Sequence, residues 1–334
     1  MTKVLVTGAT GFIGAHLVER NLEEKKLVRI FALPGDQKAK AFESQGLDVV
    51  YGDIRDAKAV EKAVEGQEVV FHLAAVVTDW APKKLFEQIN VQGMRNICEA
   101  CLRHKVQRLV EVSTNDVFGL KEGVMIDETF EHTLWGEPYP DTKLAATKIV
   151  LEYHKEGLPV SMVYPCWVYG PGDLTFVPLV ADSIKKKNLI FWRKNVLIWP
   201  AYVDNLIDLL MLIAWHPRAV GEGFLVHDGV SDTFQNFSAR IAVSIGMKPP
   251  RLHIPYKLAY CAAWASEVIW KLLRKKNRPL LTKYTVKNLG SRLRFSIEKA
   301  QKVLGWSPPV SYEEGFKKTM DWLATSDPEF WKQK

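Results

Sequence analysis

The chain alternates between short apolar runs and stretches in which apolar residues recur with a helical period, such as the one from about Phe12 to Glu24. Continuous apolar runs rich in β-branched residues are typical of strands that are buried on both faces of a parallel sheet. The predicted strands cover residues 3–7, 27–33, 48–52, 68–74, 108–113 and 159–164. Strands that alternate with helices form βαβ units, so the pattern predicts an α/β fold with a doubly wound parallel sheet.

The pattern changes after Pro165. Turn-rich segments lead to a helix near 204–215, and residues 223–229 are predicted to return to the sheet as one more strand. From about Ser231 onwards the chain is helical and rich in aromatic residues. We therefore expect a first α/β domain over 1–165, with its sheet completed by about 200–229. A smaller, mainly helical substrate lobe would occupy 166–334.

Composition narrows the function classes. The 334 residues carry a net charge of +7, which would suit phosphate-bearing ligands. No segment resembles a nucleic-acid-binding arm, so we expect no nucleic-acid partner. Cys98 and Cys101 lie in a predicted amphipathic helix with no second pair nearby, which favours buried thiols over a metal site. Because the first strand begins at residue 3, we expect no signal peptide and a cytoplasmic location.

Three glycines, Gly8, Gly11 and Gly14, follow the first predicted strand and open the first predicted helix. Glycines in this setting allow a tight turn, a close approach of the backbone to a pyrophosphate, and tight packing of helix on strand. The start of the helix offers free N–H groups and the positive end of its dipole to the phosphates. The segment therefore predicts a dinucleotide site, and residues 1–165 are expected to form a Rossmann-type dinucleotide-binding domain.

Tyr139 and Lys143 are four residues apart in a predicted helix, so both side chains project from one face. A free tyrosine, with a pKa of about 10, is a poor base at neutral pH. We expect the ammonium of Lys143 to lower the pKa of Tyr139. Tyr139 could then exchange a proton with an alcohol or a ketone while hydride moves to or from a nicotinamide.

The glycine spacing GxxGxxG, together with segments that follow it in order, resembles the extended short-chain dehydrogenase/reductase superfamily. The resemblance covers nearly the whole chain and implies a Rossmann-type NAD(P)-dependent enzyme. The segments are Gly52-Asp53-Ile54, His72-Leu73-Ala74-Ala75, Asn90-Val91-Gln92-Gly93, Tyr139-Pro140-Asp141-Thr142-Lys143, Tyr169-Gly170-Pro171-Gly172-Asp173 and Tyr202-Val203-Asp204-Asn205.

This resemblance implies roles for individual residues. Counting back from Gly119, Thr114 takes the position of the catalytic hydroxyl, which polarises the substrate carbonyl, and Ser113 is the alternative. Lys143 would also hold the nicotinamide ribose. Asp53 and Ile54 would border the adenine, Ala74 and Ala75 would line the cofactor channel, and Pro165 would lie near the nicotinamide. The full set expected to contact the cofactor is Gly8, Thr10, Gly11, Phe12, Ile13, Gly14, Leu33, Asp36, Lys38, Asp53, Ile54, Leu73, Ala74, Ala75, Asn90, Ser113, Tyr139, Lys143, Pro165 and Val168.

The choice between the two nicotinamide cofactors depends on the end of the second strand. NAD-dependent enzymes of this fold commonly place an acid there, which binds the ribose 2′-hydroxyl. This chain has Ala32 and Leu33 instead, with Lys38 and Lys40 nearby. Without a carboxylate to repel a 2′-phosphate, the sequence favours NADP(H). Binding of NAD(H) through Asp36 is the alternative.

Residues 279–282 and 295–306 resemble the 3β-hydroxysteroid dehydrogenases, their sterol-decarboxylating relatives and the dihydroflavonol-type reductases. We therefore expect a bulky hydrophobic substrate. A sugar-nucleotide epimerase or dehydratase is the alternative, although Tyr164 and Trp167 stand where such enzymes usually carry Arg and Asn. A non-catalytic scaffold or sensor is a further alternative, although such proteins typically lose the tyrosine or the lysine. Aromatic residues that fit a hydrophobic substrate are Phe191, Trp192, Trp199, Trp264 and Trp270.

The stretch from Ile254 to Leu273 approaches the length of a membrane span. Lys257, Glu267 and Lys271 fall on one side of the helix, which argues against spanning. Two arrangements remain. The helix packs into the substrate lobe as core, which we favour, or it lies at a bilayer surface as a peripheral contact with residues 274–276 near the headgroups. A homodimer is left open.

Overall fold

A seven-stranded parallel sheet forms the centre of the protein. The structure, a computed structural model, describes residues 1–275 and 277–331. The strands are β1 (Lys3–Thr7), β2 (Leu27–Ala32), β3 (Asp48–Tyr51), β4 (Val69–His72), β5 (Arg108–Val112), β6 (Met125–Ile126), β7 (Val160–Pro165), β8 (Trp167–Tyr169), β9 (Leu197–Ile198), β10 (Pro200–Tyr202), β11 (Gly223–Val226), β12 (Asp232–Thr233) and β13 (Arg294–Phe295). The central sheet has the order β11-β7-β5-β4-β1-β2-β3. The doubly wound α/β fold is confirmed.

Helices cover both faces of this sheet. They are α1 (Phe12–Glu23), α2 (Gln37–Ser44), α3 (Ala57–Val64), α4 (Lys83–Phe86), α5 (Gly93–Arg103), α6 (Pro138–Lys155), α7 (Val177–Lys185), α8 (Val203–Trp215), α9 (Phe234–Ser244), α10 (Tyr256–Leu272), α11 (Lys283–Asn288), α12 (Glu298–Leu304) and α13 (Tyr312–Thr325). Val4 and Val6 pack into the layer that includes α1 and α8, whereas Leu5 packs into the opposite layer with α5 and α6. Both faces of β1 are therefore buried, as its unbroken apolar sequence predicts.

The strand order reverses at β1, because β2 lies on one side of it and β4 on the other. At such a point the loops after neighbouring strands diverge and leave a crevice at their carboxyl ends, where ligands bind in open α/β sheets. The strand that completes the central sheet is β11, which pairs in parallel with β7. The sheet is therefore completed by residues beyond 200, as the sequence predicted.

Helices α10 and α11 lie in the C-terminal part of the chain, around a small cluster of Trp192, Ala259, Ala263 and Val286. The indole N–H of Trp192 donates to the carbonyl of Val286 at 3.0 Å. No helix among the described residues is long and apolar enough to cross a membrane. The sequence expectation that α10 forms ordinary core is only partly correct, because most of its large apolar side chains are exposed.

Candidate active site

The glycine loop between β1 and α1 makes two contacts that tolerate no side chain. Gly8 has a φ of +69°, and a Cβ there would lie 2.8 Å from the amide nitrogen of Ala74. A Cβ on Gly14 would lie 2.1 Å from the carbonyl oxygen of Gly8. The first glycine therefore lets the loop approach the segment after β4, and the last lets α1 pack against the loop.

The start of α1 can receive a pyrophosphate. Its N-cap residue is Gly11, and no side chain caps the helix. The free N–H groups of the first turn and the positive end of the helix dipole are therefore available to an anion. The backbone of the glycine loop has no side chains at Gly8, Gly11 and Gly14 that would obstruct it. These residues fit a dinucleotide.

Thr7 joins the ends of β1 and β4. Its hydroxyl oxygen accepts hydrogen bonds from the amides of Leu73 and Ala74, both at 3.2 Å. The hydroxyl hydrogen is then directed to Nδ1 of His72 at 2.8 Å, which must be the unprotonated nitrogen of a neutral ring. Burial and the nearby charge of Lys143 lower the pKa of His72 to about 3, in agreement with a neutral imidazole.

Asp36 follows β2 and is engaged on both oxygens. One oxygen caps α2 by accepting from the amides of Lys38 and Ala39 at 2.9 and 3.2 Å. The other accepts from the hydroxyl of Thr10 at 2.8 Å, which links this carboxylate to the glycine loop. The ammonium of Lys38 donates to the carbonyl of Thr10 at 3.3 Å. The side chain of Leu33 is exposed beside them.

The two residues expected near the adenine lie after β3. Asp53 accepts from the guanidinium of Arg55 at 2.9 and 2.6 Å, and this pairing lowers the pKa of its carboxyl. Ile54 is buried, and a Cβ on Gly93 would lie 2.9 Å from its side chain. Gly93 thus allows α5 to pack closely against the segment that carries both residues.

Asn90 holds the loop after β4 in place. Its side-chain oxygen accepts from the amide of Val76 at 2.8 Å, and its side-chain nitrogen donates to the hydroxyl of Thr142 at 3.2 Å. This buried amide therefore ties the loop that contains Ala74 and Ala75 to α6. The structure assigns it a supporting position, with its polar atoms directed at protein partners.

Thr114, Tyr139 and Lys143 come together where β5 meets α6. Tyr139 and Lys143 occupy the first two turns of α6, and Thr114 follows β5. The hydroxyl of Thr114 acts on the phenol of Tyr139 and lowers its pKa. The buried ammonium of Lys143 donates to the carbonyl of Val112 at 2.9 Å. The three side chains that the sequence selected are thus neighbours at the carboxyl end of β5.

The expected effect of Lys143 on Tyr139 is not what the structure shows. The pKa of Tyr139 is raised above 10, first by burial and then by the charge of Asp116, and the polar hydroxyl of Thr114 opposes this rise. Lys143 is directed towards β5, where it pairs with Glu111 at 3.6 Å. The protein alone therefore favours the neutral phenol, because the nearest charge that acts on Tyr139 is negative.

Glu111 is a buried carboxylate that the sequence analysis overlooked. It lies between Lys143 and Thr147, whose hydroxyl donates to it at 3.2 Å. The hydroxyl of Ser113 is 2.7 Å from that of Thr147, so Ser113 is directed into this network and away from Tyr139. Burial raises the pKa of Glu111, and Lys143 opposes that rise. The sequence feature that could have revealed Glu111 is a single acid within the apolar run of β5.

A second overlooked group reaches the site from the C-terminal part of the chain. The hydroxyl of Tyr284, on α11, donates to Asp116 at 2.7 Å, and its ring meets that of Tyr139 edge to face at 6.1 Å. Trp135 donates its indole N–H to the carbonyl of Asp116 at 2.6 Å. Burial raises the pKa of Asp116 to about 6. An aromatic and acidic cluster therefore faces the proposed catalytic tyrosine.

Residues 4–226 match the model of the NAD dependent epimerase/dehydratase family. The chain belongs to this family. The match runs from β1 through the glycine loop, Thr114, Tyr139 and Lys143 to the end of β11.

Relatives of this family member act in oxidation and reduction. A 3-beta-hydroxysteroid dehydrogenase from Mycolicibacterium neoaurum is 30% identical over 93% of this chain and 88% of its own. A 2-alkyl-3-oxoalkanoate reductase from Stenotrophomonas maltophilia is 29% identical over 95% of this chain and 98% of its own. The structure of a dTDP-glucose 4,6-dehydratase from Bacillus anthracis in complex with NAD aligns with a TM-score of 0.77 at 21% identity, covers 99% of each chain, and shows the shared fold. This family member is an oxidoreductase.

Pro165 and Val168, two of the residues expected to contact the cofactor, lie in the consecutive strands β7 and β8. Pro165 ends β7 and pairs with Val226, and Val168 lies in β8 opposite Ala201. Tyr164 is buried, with its hydroxyl towards the sulfur of Met162. Trp167 packs on Phe176 with ring centroids 4.7 Å apart. The surroundings of Pro165 are therefore aromatic and apolar.

A partly buried ion pair joins the loop after β4 to the segment that leads into α11. The guanidinium of Arg278 pairs with the carboxylate of Asp79, and the hydroxyls of Thr282 and Thr285 donate to the same carboxylate. Arg278 lowers the pKa of Asp79 against the effect of burial. Because Tyr284 lies between these threonines, the pair holds α11 against the loop beside the site.

Proposed function

We propose that this protein interconverts a secondary alcohol and a ketone on a bulky apolar substrate, with Tyr139 as the acid–base group. The observation that carries the proposal is the meeting of Thr114, Tyr139 and Lys143 at the carboxyl end of β5, on the same edge of the sheet as the glycine loop. A bound NAD(P) would supply or accept the hydride. The protein would supply the proton and hold the substrate oxygen.

Each of the three side chains has a distinct task in this proposal. The phenol of Tyr139 donates its proton to a ketone oxygen in reduction and takes it back in oxidation. Thr114, which follows β5 beside Tyr139, orients the same oxygen as charge develops on it. Lys143 places a positive charge one helical turn from the tyrosine and would hold the nicotinamide ribose. The positive charge of an oxidised cofactor would oppose the rise that burial and Asp116 cause in the pKa of Tyr139.

An apolar substrate is supported by what surrounds Tyr139. Tyr284 and Trp135 pack together with ring centroids 5.6 Å apart, and Tyr284 faces Tyr139. Large aromatic rings around a few polar groups are typical of pockets for apolar ligands. The relatives named for a hydroxysteroid and for an alkyl-substituted oxoalkanoate favour the same substrate class.

Turnover with a panel of substrates tests this proposal. We expect 3β-hydroxysteroids, 2-alkyl-3-oxoalkanoates or other apolar alcohols and ketones to change the absorbance of the reduced nicotinamide. Nucleotide sugars, tested at equal concentrations, serve as the comparison class. Turnover of nucleotide sugars alone would establish the epimerase or dehydratase alternative. Cofactor binding without turnover of either class would favour a scaffold or sensor.

We also propose that NADP(H) is the preferred cofactor. Both oxygens of Asp36 are engaged by Thr10 and by the start of α2, so this carboxylate is a poor partner for a ribose hydroxyl. Lys38 is exposed and its ammonium lies against the glycine loop, where it could pair with a 2′-phosphate. Ala32, at the end of β2, carries no charge that would repel that group.

Cofactor titrations with two variants test this preference. Lys38→Ala should weaken NADP(H) binding by about tenfold and leave NAD(H) binding nearly unchanged, because the ammonium would contact the added phosphate and no other part of the cofactor. Ala32→Asp should shift the preference towards NAD(H) through repulsion of the phosphate. Lys155→Ala, at the exposed end of α6, is the matched control. A wild type that binds NAD(H) more tightly would overturn the proposal and assign the ribose to Asp36 or to the backbone.

A further inference from the structure

Helix α10 contacts the rest of the protein through a narrow stripe. Its buried residues are Ala259, Ala263 and Glu267, which recur every four positions and so share one face. The carboxylate of Glu267 accepts from the amide of Lys283 at 2.7 Å and pairs with its ammonium at 3.5 Å. The two alanines and this ion pair, together with the half-buried Tyr260, attach α10 to α11.

The large apolar side chains of α10 project the other way. We define the outward face by Leu258, Trp264, Val268, Ile269 and Leu272, all of which are exposed. Trp264 is 58% exposed and Leu272 is 76% exposed. The usual arrangement of a surface helix is thus inverted, because apolar residues normally face the core. An exposed apolar patch of this kind is typical of a surface that contacts a membrane or another protein chain.

The charges around the outward face are positive. Lys257, Lys271, Arg274 and Lys275 are exposed at its edges and at the end of the helix. The single acid of α10, Glu267, is buried and paired on the opposite side. A second copy of the chain would bring the same cations to a two-fold interface, where they would repel one another. An anionic bilayer offers acyl chains to the apolar residues and phosphates to the cations.

We propose that the outward face of α10 docks onto an anionic lipid bilayer, with the helix lying in the plane of the interface. The 17 residues of α10 span about 26 Å at the usual helical rise, enough to insert five large apolar side chains side by side. Trp264 lies on the helix between Lys257 and Lys271, so the indole and both ammonium groups meet the headgroup layer together.

Docking would place the bilayer beside the proposed substrate site. Helix α11 packs between α10 and the site, and its Tyr284 faces Tyr139. An apolar substrate could then pass between the membrane and the site without crossing water. This link rests on the proposed function. The docking itself rests only on the surface of α10, and it can be measured without any turnover.

Flotation of the full chain with lipid vesicles tests the proposal. We expect the protein to float with vesicles of equal parts phosphatidylserine and phosphatidylcholine, and to stay at the bottom of the gradient with phosphatidylcholine alone. Raising the ionic strength should release it, because salt screens the attraction of the cations. A wild type that stays at the bottom with both vesicles at low salt overturns the proposal.

Three double variants locate the contact. Trp264→Glu/Leu272→Glu should lower the floating fraction by at least about tenfold, since two carboxylates would enter the apolar layer. Arg274→Gln/Lys275→Gln should weaken binding to phosphatidylserine by about fivefold for each charge removed. Lys58→Gln/Lys62→Gln on α3 and the single variant Val243→Glu on α9 are the matched controls, because they change exposed residues of the same kinds elsewhere.

The remaining outcomes also decide the question. Equal flotation of the wild type and of Trp264→Glu/Leu272→Glu overturns the proposal, since another surface must then bind the vesicles. Light scattering measures the oligomeric state and so tests the alternative that a second copy of the chain covers the outward face. A wild-type dimer that becomes a monomer in this variant, without flotation of either protein, shows that a second copy covers the outward face. Normal turnover in a variant that no longer floats separates docking from catalysis.

Discussion

Tyr139→Phe is expected to lower kcat by at least about 100-fold, the lower range for a positioned acid–base group, and to leave cofactor binding nearly intact. The ring of Tyr139 meets that of Tyr284 edge to face, so the variant removes the proton and keeps the ring contact. Steady-state kinetics and a cofactor titration measure the two effects separately.

Tyr153→Phe is the matched control for this prediction. Tyr153 lies on the same helix, and its hydroxyl donates to Glu99 at 3.2 Å on the protein surface. Its loss should leave turnover unchanged. If Tyr139→Phe turns over at a near-normal rate, the catalytic assignment is wrong and the scaffold alternative gains. If both variants lose activity together, the cause is a disturbance of α6.

Lys143→Met is expected to impair the protein in two ways. It removes the only cation that pairs with the buried carboxylate of Glu111 among the described residues, at an expected cost of about 3 kcal/mol in the free energy of unfolding. It also removes the ammonium near Tyr139 and the proposed ribose contact, so both cofactor affinity and kcat should fall. Denaturant unfolding and kinetics give the two readings.

The stability loss should depend on pH. With Lys143 removed, burial raises the pKa of Glu111 in the folded state above its unfolded value of about 4.3. The folded state then binds more protons between the two values, so the free energy of unfolding falls as pH rises above about 4.3. The deficit relative to the wild type should therefore be larger at neutral pH than in acid.

Lys143→Met/Glu111→Gln separates the structural effect from the catalytic one. The neutral amide has the shape of the acid without its charge, so much of the lost stability and its pH dependence should disappear. Turnover should stay low, because the ammonium is still absent. If the double variant recovers both stability and turnover, Lys143 acts only by neutralising Glu111 and has no role at the reacting atoms.

The sequence by itself determined the strands of the central sheet and the glycine loop after β1, where the cofactor is proposed to bind. The strand predicted over 3–7 is found at Lys3–Thr7, and the one over 108–113 at Arg108–Val112. Buried parallel strands need unbroken apolar runs, and glycines mark the turn where the backbone approaches a neighbour, so both signals are local. The run over 68–74 was too long by three residues at its ends, because Leu73 and Ala74 leave the sheet to donate to Thr7.

Helical spacing placed Tyr139 and Lys143 on one face of α6, and the family resemblance added Thr114 at the end of β5. The sequence pattern could not show which charged side chains lie around these three residues. The expected fall in the pKa of Tyr139 assumed that Lys143 is its nearest charge. The structure instead turns Lys143 towards Glu111 and places Asp116 near the phenol.

Only the tertiary structure decided which distant residues complete the site and which side of α10 meets the protein. Tyr284 and Asp116 are 168 positions apart, and Arg278 and Asp79 are 199 apart, so neither pair leaves a periodic signal in the chain. The period of α10 predicts that one side is polar and the other apolar. Whether the apolar side is packed or exposed depends on the partner that the fold brings to the helix. Here Glu267 faces the protein and pairs with Lys283, whereas Trp264 and Leu272 are exposed.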